Sequence, residues 1–173
     1  YTAVDFLQKA GSGAGFAMNG DVVVVGGGNV AIDAARVSSR CTDGSVSMYC
    51  LEQREQMPAS TEEIEEALEE NISINCGWGP KEILTQDGKV TGIVFKKCTS
   101  VTDETGCFNP TYDENDTLTV PCEHVFLSIG QSIEWGNLLA GSKVELGRGN
   151  GAVADPVTYQ TAQPDIFVGG DVY

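Results

Sequence analysis

The sequence predicts an α/β domain of three layers, with a parallel central sheet and an inserted antiparallel β-meander. Three observations carry this. Residues 22–25 are four consecutive valines that run into Gly26-Gly27-Gly28 and then into a small-residue helix around Ala34, Ala35 and Arg36. Strand-like and helix-like patterns then alternate to residue 76 as β-α-β-α-β. Beyond that point hairpin signals take over, with Asp87-Gly88 as a turn between Ile83-Leu84 and the stretch Val90 to Lys97.

Taken in order, residues 1–20 give a short amphipathic piece (Val4, Phe6, Leu7) and a Gly/Ser linker from Gly11 to Gly15. The first strand covers about 21–26 and its helix about 29–40. Their junction has the spacing G-x-G-x-x-A, the arrangement of a Rossmann-like dinucleotide site. Gly26 permits the tight turn, Gly28 lets a pyrophosphate approach the backbone, and Ala31 lets helix and strand pack closely. The helix N-terminus then offers the amides of Asn29 and Val30 to the phosphates. A strand-to-helix turn without a ligand is the alternative.

The second strand covers 45–51, with Val46, Met48 and Cys50 on one parity. Ser60 or Thr61 caps a helix over 60–70, the glutamates of its first turn suit the dipole, and Ile64, Ala67 and Leu68 form its apolar stripe. Ile72 to Cys76 alternates as a third strand. The stretch 99–117 reads as a long polar hairpin loop. Its Asp113, Glu114 and Asp116 lack the glycine and terminal glutamate of a calcium loop. Strands at 117–121 and 123–129 follow, then a short helix near 134–140.

Composition narrows the function. The 173 residues carry 10 basic and 25 acidic side chains, a net charge of −15. That argues against nucleic acid, whose phosphates call for Lys and Arg, and against an anionic membrane surface. Solubility explains the acidity; docking to a basic partner is the other reading. No apolar run approaches the length of a membrane span, and the start has neither a signal-peptide core nor an initiator methionine. Both ends suggest a piece of a longer protein. The six cysteines show no C-x-x-C spacing, so reduced thiols, a cytoplasmic location and no metal site are expected, although Cys98 and Cys107 could meet across a hairpin. His124 is the only histidine and has no partner in a recognisable catalytic arrangement, which favours a structural role. No acid–base pair stands out, and no catalytic residue is assigned.

Four ordered motifs resemble the pyridine nucleotide–disulfide oxidoreductase-type flavoproteins, in particular the glutamate synthase small-subunit-like branch and its iron–sulfur-associated relatives. They are Gly26 to Arg36, Met57-Pro58-Ala59, Ile129-Gly130-Gln131, and Thr161 to Asp171 with its ending Val168-Gly169-Gly170-Asp171. The resemblance implies a nicotinamide-nucleotide domain inserted within an FAD domain. On it, residues 1–20 lead in from the FAD domain and 21–130 form the NAD(P)-binding domain, with its meander at about 79–121. Residues 131–173 return to a truncated FAD domain. Gly170 and Asp171 then match the family's flavin motif, and Gly130 and Gln131 end the strand that leads back toward the flavin. FAD belongs to the full-length parent, and this chain is expected to purify without stoichiometric flavin. Asp33 occupies the position that approaches the nicotinamide side; a solvent-facing or capping role is the other reading.

Glu52 lies 21 residues past Ala31, where a Rossmann unit places the carboxylate that holds the adenosine ribose. Family members that use NADPH commonly place paired arginines there. The pair Leu51-Glu52 therefore favours NAD(H) over NADP(H), and Arg54 is the counter-argument. The function expected is an NAD(P)H-binding oxidoreductase module that positions nicotinamide for hydride transfer to or from FAD. Electrons would pass on to an iron–sulfur or glutamate synthase-type partner. Alone, the chain is expected to bind nucleotide and turn over little. The alternative is a non-catalytic nucleotide-sensing or docking domain.

Overall fold

The computed structural model describes residues 1–12 and 16–173, and the Gly/Ser linker expected from Gly11 to Gly15 lies largely outside the described residues. The chain divides into two compact units, Tyr1–Ile129 and Gly130–Tyr173.

In the first unit, β1 (Val22–Val25) is followed by α2 (Asn29–Cys41), β2 (Val46–Cys50), α3 (Thr61–Glu69) and β3 (Ser73–Cys76); α1 (Ala3–Gly11) precedes them. A meander of β4 (Trp78–Gln86), β5 (Lys89–Thr102) and β6 (Phe108–Pro121) comes next, and β7 (His124–Leu127) closes the unit. The parallel sheet has the order β3-β2-β1-β7, and the antiparallel sheet the order β4-β5-β6. Val22 pairs with both Val46 and His124, and Val25 with both Tyr49 and Leu127. The chain thus builds outward from β1 to β3 and then returns to the other side of β1. That makes the carboxyl ends of β1 and β7 a topological switch point, where open α/β sheets place their ligands.

The unbroken valine run has a physical cause: both faces of β1 are buried. Val22 and Val24 pack with Met48, Ile32, Ala35 and Phe126 on the helical side. Val23 and Val25 pack with Tyr49, Ile93 and Phe95 under the meander. A strand buried on both sides gains nothing from polar alternation. Phe6 of α1 stacks on Phe126 at 4.2 Å between ring centroids, and Tyr49 stacks on Phe95 at 4.3 Å, one aromatic pair on each side of the sheet. Thr2 caps α1 and Ser60 caps α3, each accepting from the amide three residues on.

Two expectations are corrected. Residues 99–117 are not a long loop. β5 and β6 run 14 residues each, pairing Cys98 with Tyr112 and Thr102 with Phe108, so that only 103–107 turn. The sequence there is polar because this ribbon is largely exposed, and Asp103 organises the turn by accepting from the amides of Thr105 and Cys107. Residues 134–140 form successive turns rather than a helix. Gly136 at φ +52° interrupts any helical run, and Trp135 and Asn137 accept only from Leu138 and Ala140. The second unit otherwise has two short 3-10 turns, Arg148–Asn150 and Gly170–Val172, and isolated bridges that join Leu146 to Ala152, Ala154 to Thr161 and Gln160 to Phe167. All six cysteines are free, Cys98 and Cys107 included. His124 is a strand residue whose Nε2 donates to the Asn19 carbonyl at 3.1 Å.

Candidate dinucleotide site

The glycine loop leaves β1 at the switch point, and its three glycines meet three different surroundings. Gly26 has φ +143°, and a Cβ there would strike the backbone oxygen of Ser128, just past β7. Its glycine is required by both conformation and packing. A Cβ on Gly27 would stand 2.8 Å from Glu52 Oε2 and 3.1 Å from Cys50 Cβ. A Cβ on Gly28 would meet no atom within 4 Å. Gly28 also caps α2 without a side-chain hydrogen bond. Its carbonyl takes the amides of Ala31 and Ile32. Among the described residues no acceptor meets the amides of Gly28, Asn29 and Val30. An open position at Gly28, together with three amides that lack an acceptor at the positive end of a 13-residue helix, fits a pyrophosphate.

A second segment braces this loop. The amide of Ala59 donates to Gly27 O at 3.0 Å, and the amide of Ser60 donates to Asn29 Oδ1 at 2.9 Å. Met57 and Ala59 are buried. The Met57-Pro58-Ala59 motif therefore holds the turn from behind, and the starts of α2 and α3 are tied together. No role in the site was expected of this segment, because its donors are the main-chain amides of Ala59 and Ser60, which leave no side-chain signature.

Glu52 is half-buried beside Gly27, so the predicted adenosine-side carboxylate and the glycine loop do come together. Its carbonyl accepts from the Gly77 amide at 3.0 Å, which ties the end of β2 to the end of β3. Arg54 follows in a short turn of 3-10 helix, Arg54–Gln56, and its Nη1 is buried without a hydrogen-bond partner. A groove of about 490 Å³ opens between Leu51, Glu52, Gln53 and Gln56 on one side and the stretch Cys98–Thr102 of β5 on the other, with Glu52 in its wall. Asp33 is exposed on α2, one turn in from the loop.

Beneath the loop lies a group of sulfur atoms. Cys50 and Cys76 are register partners at the ends of β2 and β3, with their Sγ atoms 3.9 Å apart. Met57 Sδ is 3.9 Å from Cys76 Sγ. Burial, then the neighbouring Cys76, push the Cys50 thiol far above the ordinary thiol range. The other four predicted residues belong to the second unit. Gly130, at φ +116°, and Gln131 are exposed at its start. Gly170, at φ +70°, and Asp171 are exposed in a 3-10 turn that packs locally, with Val172 O accepting from the Ala152 amide at 2.8 Å.

Among the described residues, no helix is long and apolar enough to cross a membrane. Among the described residues, no group of three His, Cys, Asp or Glu side chains is arranged to hold a metal ion.

The chain is similar to several known proteins. The chain is 30% identical over 152 residues to the NADP(+)-dependent formate dehydrogenase subunit beta of Moorella thermoacetica, covering 87% of this chain and 21% of that one. It is 32% identical over 161 residues to the glutamate synthase [NADPH] small chain of Escherichia coli, covering 87% and 33%. It thus spans about a fifth to a third of the length of these relatives. Among solved structures, the thioredoxin reductase of T. acidophilum shares its fold at a TM-score of 0.67 and 24% identity, over 88% of this chain and 44% of that one. The family described as pyridine nucleotide-disulphide oxidoreductase matches residues 2–173, and the chain belongs to that family.

Proposed function

We propose that the first unit binds a nicotinamide dinucleotide on the Gly26-Gly27-Gly28 loop and, within a larger flavoprotein, positions its nicotinamide for hydride exchange with FAD. The observation that carries this is the open position at Gly28 together with the free amides of Gly28, Asn29 and Val30. Gly28 and the α2 N-terminus take the pyrophosphate, and Glu52 takes the adenosine ribose. Asp33 lies toward the nicotinamide. The flavin supplies the electronic chemistry, and this chain's contribution is binding and orientation. In the second unit Gly170 and Asp171 would face the flavin, and Gly130 and Gln131 would lead the chain back toward the flavin domain. Electrons would pass to an iron–sulfur or glutamate synthase-type partner; one relative is named as the small chain of glutamate synthase.

For the choice of nucleotide, the Glu52 carboxylate beside Gly27 favours NAD(H), because a 2′-phosphate there would meet a like charge in a partly dry site. NADP(H) is the second reading. It is favoured by the buried, unpartnered Nη1 of Arg54 and by relatives named for NADPH, among them the NADPH-Fe(3+) oxidoreductase subunit beta of Geobacter sulfurreducens at 32% identity. Calorimetric titration with NADH and with NADPH decides. Tighter NADH binding supports the Glu52 assignment, and NADPH preference moves the adenosine contact to Arg54. Binding of neither removes the dinucleotide reading for the isolated chain.

A further inference from the structure

We propose that Cys50 and Cys76 form an oxidisable dithiol beneath the glycine loop, which a peroxide closes to a disulfide and whose closure weakens dinucleotide binding. The two residues are 26 positions apart in sequence, so no motif announces them. The fold makes them register partners on adjacent parallel strands. Strands in such a sheet lie roughly 4.8 Å apart, within the separation of roughly 4.4–6.8 Å between Cα atoms that disulfides span. Their sulfur atoms already touch at 3.9 Å. Each is the last residue of its strand, where the backbone has more freedom to adjust than in mid-sheet.

The two thiols differ in access, which sets the order of events. Cys76 is half-buried and Cys50 is buried. The Cys76 thiolate attacks a peroxide oxygen, the O–O bond breaks, and the released hydroxide takes up a proton and leaves as water. The resulting Cys76 sulfenic acid is then attacked at sulfur by the Cys50 thiolate. The S–O bond breaks, a second water leaves, and the disulfide remains. Two thiols and one hydrogen peroxide give one disulfide and two waters. The high pKa of Cys50 makes it the slower, resolving partner.

Closure reaches the nucleotide site through short contacts. Cys50 Sγ now donates to the Glu52 carbonyl at 3.7 Å, and Cys50 Cβ lies under Gly27. A disulfide needs a sulfur separation of about 2 Å. Cys50 Sγ must therefore leave Glu52 and swing toward Cys76, which disturbs the strand end that carries the Glu52 carboxylate. The coupling rests on the dinucleotide reading above, whereas the thiol chemistry does not.

The test uses the full chain as Cys41→Ser/Cys107→Ser, which removes the two other thiols with solvent access. Hydrogen peroxide is added, and the protein is digested with trypsin without reductant. The expected product is a cross-link between peptides 41–54 and 55–81, with an intact mass loss of about 2 Da that dithiothreitol reverses. The NADH dissociation constant should rise at least about fivefold on oxidation and recover on reduction. Adding Cys76→Ala should make it the same before and after peroxide. Oxygen adducts on Cys76 with no cross-link overturn the dithiol. A cross-link with unchanged NADH affinity overturns the coupling. A cross-link in a chain that binds no nucleotide even when reduced upholds the dithiol and overturns the dinucleotide reading instead.

Discussion

Asn29 Oδ1 accepts a 2.9 Å hydrogen bond from the Ser60 amide, so the first residue of α2 holds the cap of α3. The two crossover helices of the unit are locked together beside the proposed pyrophosphate position. Asn29→Ala removes that bond and leaves an exposed amide that water can satisfy. The expected cost is about 1 kcal/mol of stability. NADH affinity should fall several-fold as the loop loosens. Chemical denaturation paired with titration checks both; an unchanged affinity would separate the brace from binding.

The glycine loop offers a contrast within three residues. Gly26→Ala introduces a side chain at φ +143° against the Ser128 carbonyl, and should cost roughly 3 kcal/mol or more, or prevent folding. Gly28→Ala places its methyl group in open space at φ −94° and should change stability by no more than about 0.5 kcal/mol. Its NADH affinity should nevertheless drop tenfold or more, because that space is where the pyrophosphate would lie. A Gly28→Ala chain that keeps both stability and affinity would move the phosphates elsewhere.

Glu52 and Arg54 make opposite demands on the nucleotide. Glu52→Arg should shift preference toward NADPH, since it replaces a repelling charge by an attracting one beside Gly27. Arg54→Ala should leave NADH binding within about twofold, a change of roughly 0.4 kcal/mol, if Glu52 is the adenosine contact. Titrating both variants with both nucleotides gives a four-way result. Unchanged selectivity in Glu52→Arg removes Glu52 from the site.

Much of this unit was legible because burial on both sides of a sheet leaves a strong imprint. The four valines, the glycine spacing, the Ser60 cap and the Asp87-Gly88 turn each state a local rule, and β1, α2, β2, α3, β3 and β7 stand within a residue or two of their predicted bounds. The long ribbon of β5 and β6 was not legible. Strand pairing there is held by backbone bonds between exposed polar residues, so Thr99 to Thr117 carries no alternation to read. The brace at Ala59 and Ser60 was hidden for a similar reason. The Cys50–Cys76 pair was hidden because strand register, not sequence distance, brings it together. At residues 134–140 a short helix was expected, and the left-handed Gly136 overrode it.

The outer faces of α2 and α3 carry a pH dependence whose sign can be worked out. Arg36 Nε bonds Glu70 at 2.9 Å and its Nη1 also pairs with Glu63 and Glu66, while Arg40 reaches the same Glu70. Burial pushes the Glu70 carboxyl up, but the Arg36 hydrogen bond and the charges of Arg40 and Arg36 outweigh it and hold it below its ordinary value of 4.5. A carboxylate with a lowered folded pKa contributes stability that is complete above that ordinary value. The contribution is lost as pH falls through the lower folded value. Asp21 acts in the same direction, its carboxylate held down by the Ser45 amide and hydroxyl. The chain should therefore lose stability on acidification below about pH 4.5, and Glu70→Gln should flatten that loss. At neutral pH the substitution should cost less than about 1 kcal/mol, because the pair is partly solvated, and the difference should shrink in high salt. Denaturation midpoints of both chains from pH 7 to pH 3 check this, and parallel acid limbs would show that Glu70 carries none of it.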